Sequence, residues 1–192
     1  MKFVSSDLVV IDRELSDLDK FAIDFVKVLR NHTPYVIVSG YVAIMFGRSR
    51  GSEDVDIIIP PFDFSAYSKL IGDLKSSGFY CLQADEIKEI YEYVNEKIPL
   101  RFAKRNTVIP NIELKCVKNK VEELSLDKPI TVRLGSEELF ISNLELQVAF
   151  KEEVLKSPKD IEDARHLRNV AKKHLDLKKI EEYKRLLNEV YR

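Results

Sequence analysis

Hydrophobic positions along the chain recur with two periods, which predicts a mixture of helices and strands. Apolar residues three or four apart predict amphipathic helices, and short apolar runs or alternation with polar residues predict strands. Residues 1–141 carry both patterns, whereas residues 142–192 carry only the helical one. The predicted helices cover about 17–31, 41–46, 63–77, 85–97, 143–155, 158–171 and 176–191, and the predicted strands cover 35–38, 55–59, 79–82, 100–104, 112–117, 130–134 and 138–141.

This order of elements indicates a fold class and a division of the chain. Mixed strands and helices followed by an all-helical end are typical of an α+β fold, or of an α/β fold with a mixed sheet, that carries a helical extension. We therefore expect a sheet domain over residues 1–141 and a C-terminal helical region packed on it over residues 142–192.

Composition and charge narrow the classes of protein that fit. The chain has 192 residues, 45% of them hydrophobic, so it can bury a core. A formal net charge of -1 excludes the strong positive charge of proteins that coat nucleic acid or anionic membranes. No apolar run reaches the roughly eighteen residues of a membrane span, and Met1–Ile11 lacks a signal-peptide pattern. We expect a cytoplasmic protein with no membrane partner.

Two carboxylates at the strand predicted over residues 55–59 are the first candidates for chemistry. Asp54 and Asp56 are separated by one residue, so both side chains point to the same face of the strand. Such a pair is costly unless a cation neutralises it, and a hard divalent cation takes oxygen ligands of this kind. The pair therefore predicts a site for a divalent metal ion.

A turn of small residues precedes the two acids. Ser39 and Gly40 lie between an apolar strand and a short apolar helix. A helix that starts with small residues leaves backbone N–H groups free and lets a phosphate group approach closely. The chain therefore carries a predicted phosphate-binding turn upstream of the predicted metal site.

A third carboxylate would complete a site for two metal ions, in which one ion activates an attacking hydroxyl and the other stabilises the leaving group. Glu113 is the candidate, because it alternates with apolar residues on a strand that we expect beside the Asp54 strand. Two alternatives stay open. Asp127 or another acid supplies the third carboxylate, or Glu113 pairs with Lys115 on a solvated face.

Two blocks of the sequence resemble a known enzyme family. The first reads Ser39-Gly40-Tyr41-x-Ala43, then Gly47-x-x-Arg50-x-Ser52-x-Asp54-x-Asp56. It resembles the core motif of the DNA polymerase β-like nucleotidyltransferase superfamily, and within that superfamily it is most similar to AbiEii-type toxin nucleotidyltransferases and their prokaryotic relatives. The second block resembles their lysine-bearing helix and Lys-Asp-x-x-Asp segment, and it contains Lys151, Lys159, Asp160 and Asp163. Ser39 and Ser52 stand where the family has glycine and threonine.

The resemblance implies a nucleotidyltransferase-like mixed sheet flanked by helices, and it implies roles for the residues of both blocks. Asp54 and Asp56 would bind magnesium at a two-metal site and act in catalysis, and Glu113, where the family has an aspartate, is the candidate for the third catalytic and metal-binding acid. Lys151 would reach a phosphate or neutralise the site. The residues implied to bind a nucleoside triphosphate are Ser39, Gly40, Arg50, Ser52, Lys151, Lys159 and Asp160.

These observations lead to three hypotheses about function. The first is magnesium-dependent transfer of a nucleoside monophosphate from a nucleoside triphosphate to a hydroxyl acceptor, with release of pyrophosphate. Acceptors in the resembling families include tRNA, proteins and small molecules, and the 12 basic and 9 acidic residues of positions 151–192 leave tRNA open. The second is a catalytically weak nucleotide-binding or toxin–antitoxin-like regulatory protein of the same fold, with a cognate antitoxin or regulator as partner. The third is an aminoglycoside-type modifying enzyme.

Overall fold

A mixed sheet of nine strands forms the centre of the protein, whose computed structural model describes residues 1–191. The strands are β1 (Lys2–Phe3), β2 (Leu8–Ile11), β3 (Val36–Val38), β4 (Asp54–Ile59), β5 (Phe79–Cys81), β6 (Leu100–Lys104), β7 (Asn111–Cys116), β8 (Ile130–Leu134) and β9 (Glu137–Ile141). Their order across the sheet is β1-β2-β8-β9-β3-β4-β7-β6-β5. The pairs β2–β8, β3–β9 and β4–β7 are parallel, and the other neighbours are antiparallel.

Helices flank this sheet and form the end of the chain. They are α1 (Asp17–Leu29), α2 (Gly40–Met45), α3 (Phe64–Ser76), α4 (Ile87–Asn95), α5 (Lys120–Leu126), α6 (Leu144–Phe150), α7 (Pro158–Val170) and α8 (Leu177–Val190). A π-helical turn over Lys151–Leu155 continues α6. In the described range 1–191, none of the helices combines the length and the apolar composition needed to cross a membrane.

The predicted mixed sheet with flanking helices is confirmed, and every predicted element is present with its ends within two residues of the expected positions. Strands β1 and β2 and helix α5 were not predicted from the sequence. β1 and β2 are two and four residues long, and β2 is held in the sheet by parallel pairing with the distant β8. In α5 only Val121 and Ser125 are buried, so its apolar periodicity is weak.

Residues of β4 alternate between the two faces of the sheet. Val55, Ile57 and Ile59 point to the first face and are fully buried. Helix α1 covers this face, where the rings of Phe25 and Phe102 pack with centroids 5.6 Å apart. The first face therefore belongs to the core, and the polar residues of β4 all point to the second face.

The C-terminal helices share one hydrophobic core with the sheet. Leu146 of α6, Leu167 of α7 and Ile180 of α8 are buried in the same apolar cluster as Ile57 of β4. The C-terminal region predicted to start at residue 142 therefore packs on the sheet through buried apolar side chains. The division of the chain between residues 141 and 142 stays a prediction.

A buried carboxylate joins α1 to α2. Asp19 is fully buried and accepts hydrogen bonds from the guanidinium of Arg13 at 2.5 and 3.0 Å and from the hydroxyl of Tyr41 at 2.7 Å. The backbone N–H of Ser16, the residue that caps α1, also donates to it. Burial alone would raise the pKa of Asp19, but these hydrogen bonds, led by that of Arg13, lower the pKa to about 2. The contact with Tyr41 fixes the short helix that follows the Ser39–Gly40 turn.

We expect Asp19→Asn to lower the free energy of unfolding by about 2 kcal/mol at pH 7. The pKa in the folded protein, about 2, lies below that of an unfolded aspartate. The stabilisation is therefore complete above about pH 4 and is lost as the pH falls through 2. Urea denaturation between pH 7 and pH 2 should show a steeper loss of stability in the wild type than in the variant.

The matched control is Asp17→Asn in the same helical turn, whose carboxylate is fully exposed. It should change stability by less than about 0.5 kcal/mol. Parallel pH profiles for the wild type and Asp19→Asn would contradict this account.

Candidate active site

The predicted acids lie on the same face of two adjacent strands. β4 and β7 are parallel neighbours, as expected, and Asp56 is the register partner of Glu113. On the other side of β4, Val38 is the register partner of Asp56, and on the far side of β7, Arg101 is the partner of Glu113. Residues in register on neighbouring strands point to the same face, so the Asp56 and Glu113 side chains converge. Asp54, two residues earlier, points to that face as well.

The ammonium group of Lys115 lies between two of these carboxylates. Its Nζ atom is 2.7 Å from Oδ1 of Asp56 and 2.7 Å from Oε1 of Glu113. The second oxygen of Glu113 accepts a hydrogen bond of 3.0 Å from Arg101. The pairing of Glu113 with Lys115 that the sequence left open is therefore present, and the side chain of Glu113 is only 15% exposed. The other candidate for the third acid, Asp127, is exposed at the end of α5.

The pKa values of these three groups follow from burial and from their mutual charges. Burial raises the pKa of Asp56, and the charge of Lys115 offsets only part of that effect. Burial would also raise the pKa of Glu113, but hydrogen bonds from Lys115 and Arg101 bring it below the ordinary value. Burial would lower the pKa of Lys115, but Asp56 and Glu113 raise it above the ordinary value. Glu113 and Lys115 therefore carry full charges at neutral pH.

The chemical type of the side chains on these strands suits a magnesium ion. Asp54, Asp56 and Glu113 offer carboxylate oxygens on one face, which are the ligands that magnesium prefers. The ammonium of Lys115 shows that Asp56 and Glu113 approach closely enough to contact a single cation. Among residues 1–191, no three acidic, histidine or cysteine side chains are yet close enough together to hold an ion. Metal binding by the three acids stays a prediction.

The Ser39–Gly40 turn has an unusual backbone conformation. Ser39 has φ of 66° and ψ of -135°, a region that residues with a side chain rarely adopt. The Ser39 N–H donates a 3.0 Å hydrogen bond to Oε1 of Gln147 in α6, which holds the turn against the C-terminal helices. Glycine, which the resembling family has at this position, would adopt the same conformation without strain.

Gly40 makes room for an arginine. A Cβ atom at Gly40 would lie 2.6 Å from a guanidinium nitrogen of Arg50, which is closer than a real contact allows. The Arg50 guanidinium is held in place by a 2.8 Å ion pair with Asp163. The glycine of the turn therefore allows Arg50 to lie against the start of α2.

A polar cleft of about 560 Å³ opens beside this arginine. Three cationic side chains line it, from Arg48, Arg50 and Lys159, and Ser52 and Asp54 lie on the same walls. The hydroxyl of Ser52 donates to the carboxylate of Asp54 at 3.1 Å. The cleft therefore places a cluster of positive charge next to one of the predicted metal ligands. Arg48 was not predicted as a site residue, and its only signal in the sequence was its place two residues before Arg50 in the motif.

A buried ionic network lies behind the cleft. Asp163 is fully buried and accepts hydrogen bonds from Arg48 at 2.7 Å, Arg50 at 2.8 Å and Lys151 at 2.9 Å. The Lys151 ammonium also contacts Asp160 at 3.3 Å and is 1% exposed. The structure therefore places Lys151 and Asp160 in a network that supports the arginines, and direct contact of these two with a nucleotide stays a prediction.

The predicted site residues fall into two neighbouring groups. Arg50, Ser52, Asp54 and Lys159 line the cleft. A second, more enclosed cavity of about 120 Å³ lies under α5 and α6, and its walls include Ser39, Lys115 and Lys151. Strand β4 joins the two groups, since Asp54 faces the cleft and Asp56 holds Lys115.

Comparison with known proteins supports the fold. No protein-family model matches the sequence, and no curated protein matches it either. The solution structure of the antibiotic-resistance factor ANT(2'')-Ia is similar, with a TM-score of 0.56 at 12% identity over 92% of this chain and 95% of that one. An antigenic nucleotidyltransferase-like protein from Paracoccidioides brasiliensis has a TM-score of 0.51 at 14% identity over 88% of this chain and 86% of that one. The chain has a nucleotidyltransferase-like fold.

We expect Ser39→Gly to stabilise the protein. Backbone strain at such a position costs on the order of 1–3 kcal/mol, and glycine relieves it while adding some entropy to the unfolded chain. The Ser39 side chain forms no capping hydrogen bond that would be lost. The expected gain in urea denaturation is about 1 kcal/mol. Ser39→Ala is the matched control, because it removes the hydroxyl and keeps the strain, and equal stabilities of the two variants would contradict the strain.

We expect Asp163→Asn to destabilise the fold by about 3–5 kcal/mol, because it leaves the buried Lys151 and two partly buried arginines without their shared carboxylate. Thermal denaturation measures the loss. The control is Glu162→Gln on the same helix, since Glu162 forms an exposed ion pair with Arg165 that should contribute less than about 1 kcal/mol. Similar melting temperatures for the two variants would show that the network is dispensable.

Proposed function

We propose that the chain is a magnesium-dependent nucleotidyltransferase, which transfers a nucleoside monophosphate from a nucleoside triphosphate to a hydroxyl acceptor and releases pyrophosphate. The observation that carries the proposal is the cleft lined by Arg48, Arg50 and Lys159 next to Asp54. Three cations beside a metal-type carboxylate suit a triphosphate bound with its divalent ion. The nucleotidyltransferase-like fold agrees with this chemistry.

The two arginines would bind phosphate oxygens while they keep their contacts with Asp163. A guanidinium has five N–H donors, and each arginine gives only its Nη1 atom to Asp163. Their side chains are 20% and 16% exposed, so they face the cleft from fixed positions. Lys159, which is exposed, would add a mobile charge at the rim. The Ser39–Gly40 turn would approach the phosphates from the side of β3.

Asp54 and Asp56 would hold magnesium, which supplies neutralisation of the triphosphate charge and polarisation of the reacting phosphate. Glu113 is ionised, and its carboxylate lies on the next strand to Asp56. In that position Glu113 would either add a metal ligand or accept the proton of the acceptor hydroxyl. Alignment and charge neutralisation would provide most of the rate increase, with no covalent intermediate.

The fold and the sequence resemblance each suggest classes of acceptor. An antibiotic-resistance factor has a similar structure, which supports inclusion of aminoglycoside-type small molecules among the acceptors. The resemblance to AbiEii-type toxins supports tRNA or protein acceptors and a cognate antitoxin or regulator. A cytoplasmic location fits each of these acceptors.

One observation favours a second candidate function. Lys115 occupies the space between Asp56 and Glu113, where a second cation would otherwise lie. A protein in which this ion pair persisted would bind nucleotide with little turnover. This is the nucleotide-binding or regulatory hypothesis for the same fold.

A transfer assay tests the proposal. The purified protein is incubated with each α-labelled nucleoside triphosphate and magnesium, in separate reactions with total RNA, cell lysate and a panel of aminoglycosides. We expect label on one acceptor class and a loss of about a hundredfold or more in Asp56→Asn. Asp85→Asn, an exposed acid before α4, is the matched control and should retain activity.

Binding of nucleotide without transfer to any acceptor would support the regulatory hypothesis. Equal transfer by the wild type and Asp56→Asn would show that the proposed site does not perform the reaction. Absence of both nucleotide binding and transfer would contradict the function proposed for the cleft.

A further inference from the structure

The position of Lys115 indicates how the carboxylates of the site are compensated before any metal ion binds. Lys115 follows Glu113 by two residues on β7, so both side chains leave the same face of the sheet. Its backbone is in register with Ile58, two residues beyond Asp56 on β4. The lysine side chain must therefore lie back along the strands to place its Nζ atom between the two acids, at 2.7 Å from each.

The two acids need a positive charge in this position. Asp56 and Glu113 are directly in register, and their side chains are 14% and 15% exposed. Like charges opposite one another on adjacent strands destabilise a sheet, and burial strengthens the repulsion. Arg101 contacts only the outer oxygen of Glu113, so it does not compensate Asp56. Lys115 is the group that contacts both carboxylates.

Space for a second position of the lysine side chain is present. Lys115 lines the enclosed cavity of about 120 Å³, whose walls are mostly apolar and also include Ser39 and Glu122. A four-carbon side chain can rotate into such a space without a change in the backbone. Glu122 is the acidic residue among those that line it, and its carboxylate also accepts a 2.6 Å hydrogen bond from the Lys118 backbone N–H. The side chain of Lys115 is 27% exposed, whereas that of Lys151 is 1% exposed and is fixed by its own two partners.

We propose that Lys115 is a resident counter-ion that holds Asp56 and Glu113 together and is displaced when a divalent metal ion binds to these carboxylates. The inference rests on the proposed magnesium site, and it adds that metal affinity is set by competition with an ammonium of the same chain. Displacement moves the ammonium toward the cavity beside Ser39, on the side of the site where the phosphates are proposed to bind.

Direct binding of Mn²⁺, a spectroscopic substitute for magnesium, tests the competition without any assay of activity. Free Mn²⁺ is measured by electron paramagnetic resonance in titrations of the full chain. We expect Lys115→Met to bind Mn²⁺ about tenfold more tightly than the wild type, because the competing ion pair is gone. Lys115→Arg, which keeps the charge, should bind Mn²⁺ with nearly the wild-type affinity.

The matched control is Lys118→Met, which makes the same change of charge at an exposed position three residues away. It should leave the affinity within about twofold of the wild type, because a solvent-exposed charge is screened. Lys115→Gln provides a second neutral variant with a polar side chain, in case Lys115→Met does not fold.

Thermal denaturation supplies an independent measurement. Without metal, both neutral variants should melt below the wild type, because Asp56 and Glu113 then repel each other. Mn²⁺ should raise their melting temperatures by more than it raises that of the wild type, since a tighter ligand stabilises more at equal concentration.

The outcomes separate this inference from the proposed function. Tighter binding in both neutral variants supports displacement of Lys115. Equal affinity in the wild type and the neutral variants overturns the inference and leaves the magnesium site standing. Absence of Mn²⁺ binding in the wild type and in every variant would contradict the proposed metal site and therefore this inference as well.

Discussion

Asp163 is the contact on which the geometry of the candidate site depends. This fully buried carboxylate accepts hydrogen bonds from Arg48, Arg50 and Lys151, which come from the loop after α2 and from the end of α6. A buried charge shared by three cations is costly to leave unpaired, so the three segments are held together. The arginines that line the cleft therefore owe their positions to α7. The C-terminal helices are part of the site, although no strand of the sheet comes from them.

Asp56 and Glu113 are also compensated by a cation, but their ion pairs with Lys115 differ from the network at Asp163. At the Asp163 network the carboxylate itself is fully buried and Lys151 is 1% exposed, although the two arginines also face the cleft. Lys115 is more exposed, borders a cavity and lies at the place where substrate charge is proposed to arrive. One ionic group therefore serves as a permanent support, and the other can be exchanged. Burial decides between these two behaviours, because it sets the cost of breaking each pair.

Local patterns in the sequence predicted more of the fold than of the site. The alternation around Asp54 and Asp56 is a property of a single strand, and the expected neighbour of that strand was confirmed by the register of Asp56 with Glu113. The role of Arg48 was missed because its partner, Asp163, is 115 residues away and the pairing depends on how α7 packs. The positive φ of Ser39 was not predicted, because serine seldom adopts it, and the only signal was the glycine that the resembling family has at this position. The short strands β1 and β2 depend on pairing with β8, which no local window contains.

The order of the strands determines how the proposed phosphate-binding turn, metal ligands and acceptor side are arranged across the sheet. β3 ends in the Ser39–Gly40 turn, β4 carries Asp56, and β7 carries Glu113, and these strands are direct neighbours in the order β3-β4-β7. Neighbouring strands lie about 4.8 Å apart, so the turn and Glu113 are separated by about 10 Å, with the metal-type carboxylates between them. In-line phosphoryl transfer needs the leaving pyrophosphate, the reacting phosphate and the attacking oxygen in a row of similar length. Under the proposed function the pyrophosphate would therefore leave on the β3 side, and the acceptor hydroxyl would approach from the β7 side, where Arg101 is half exposed.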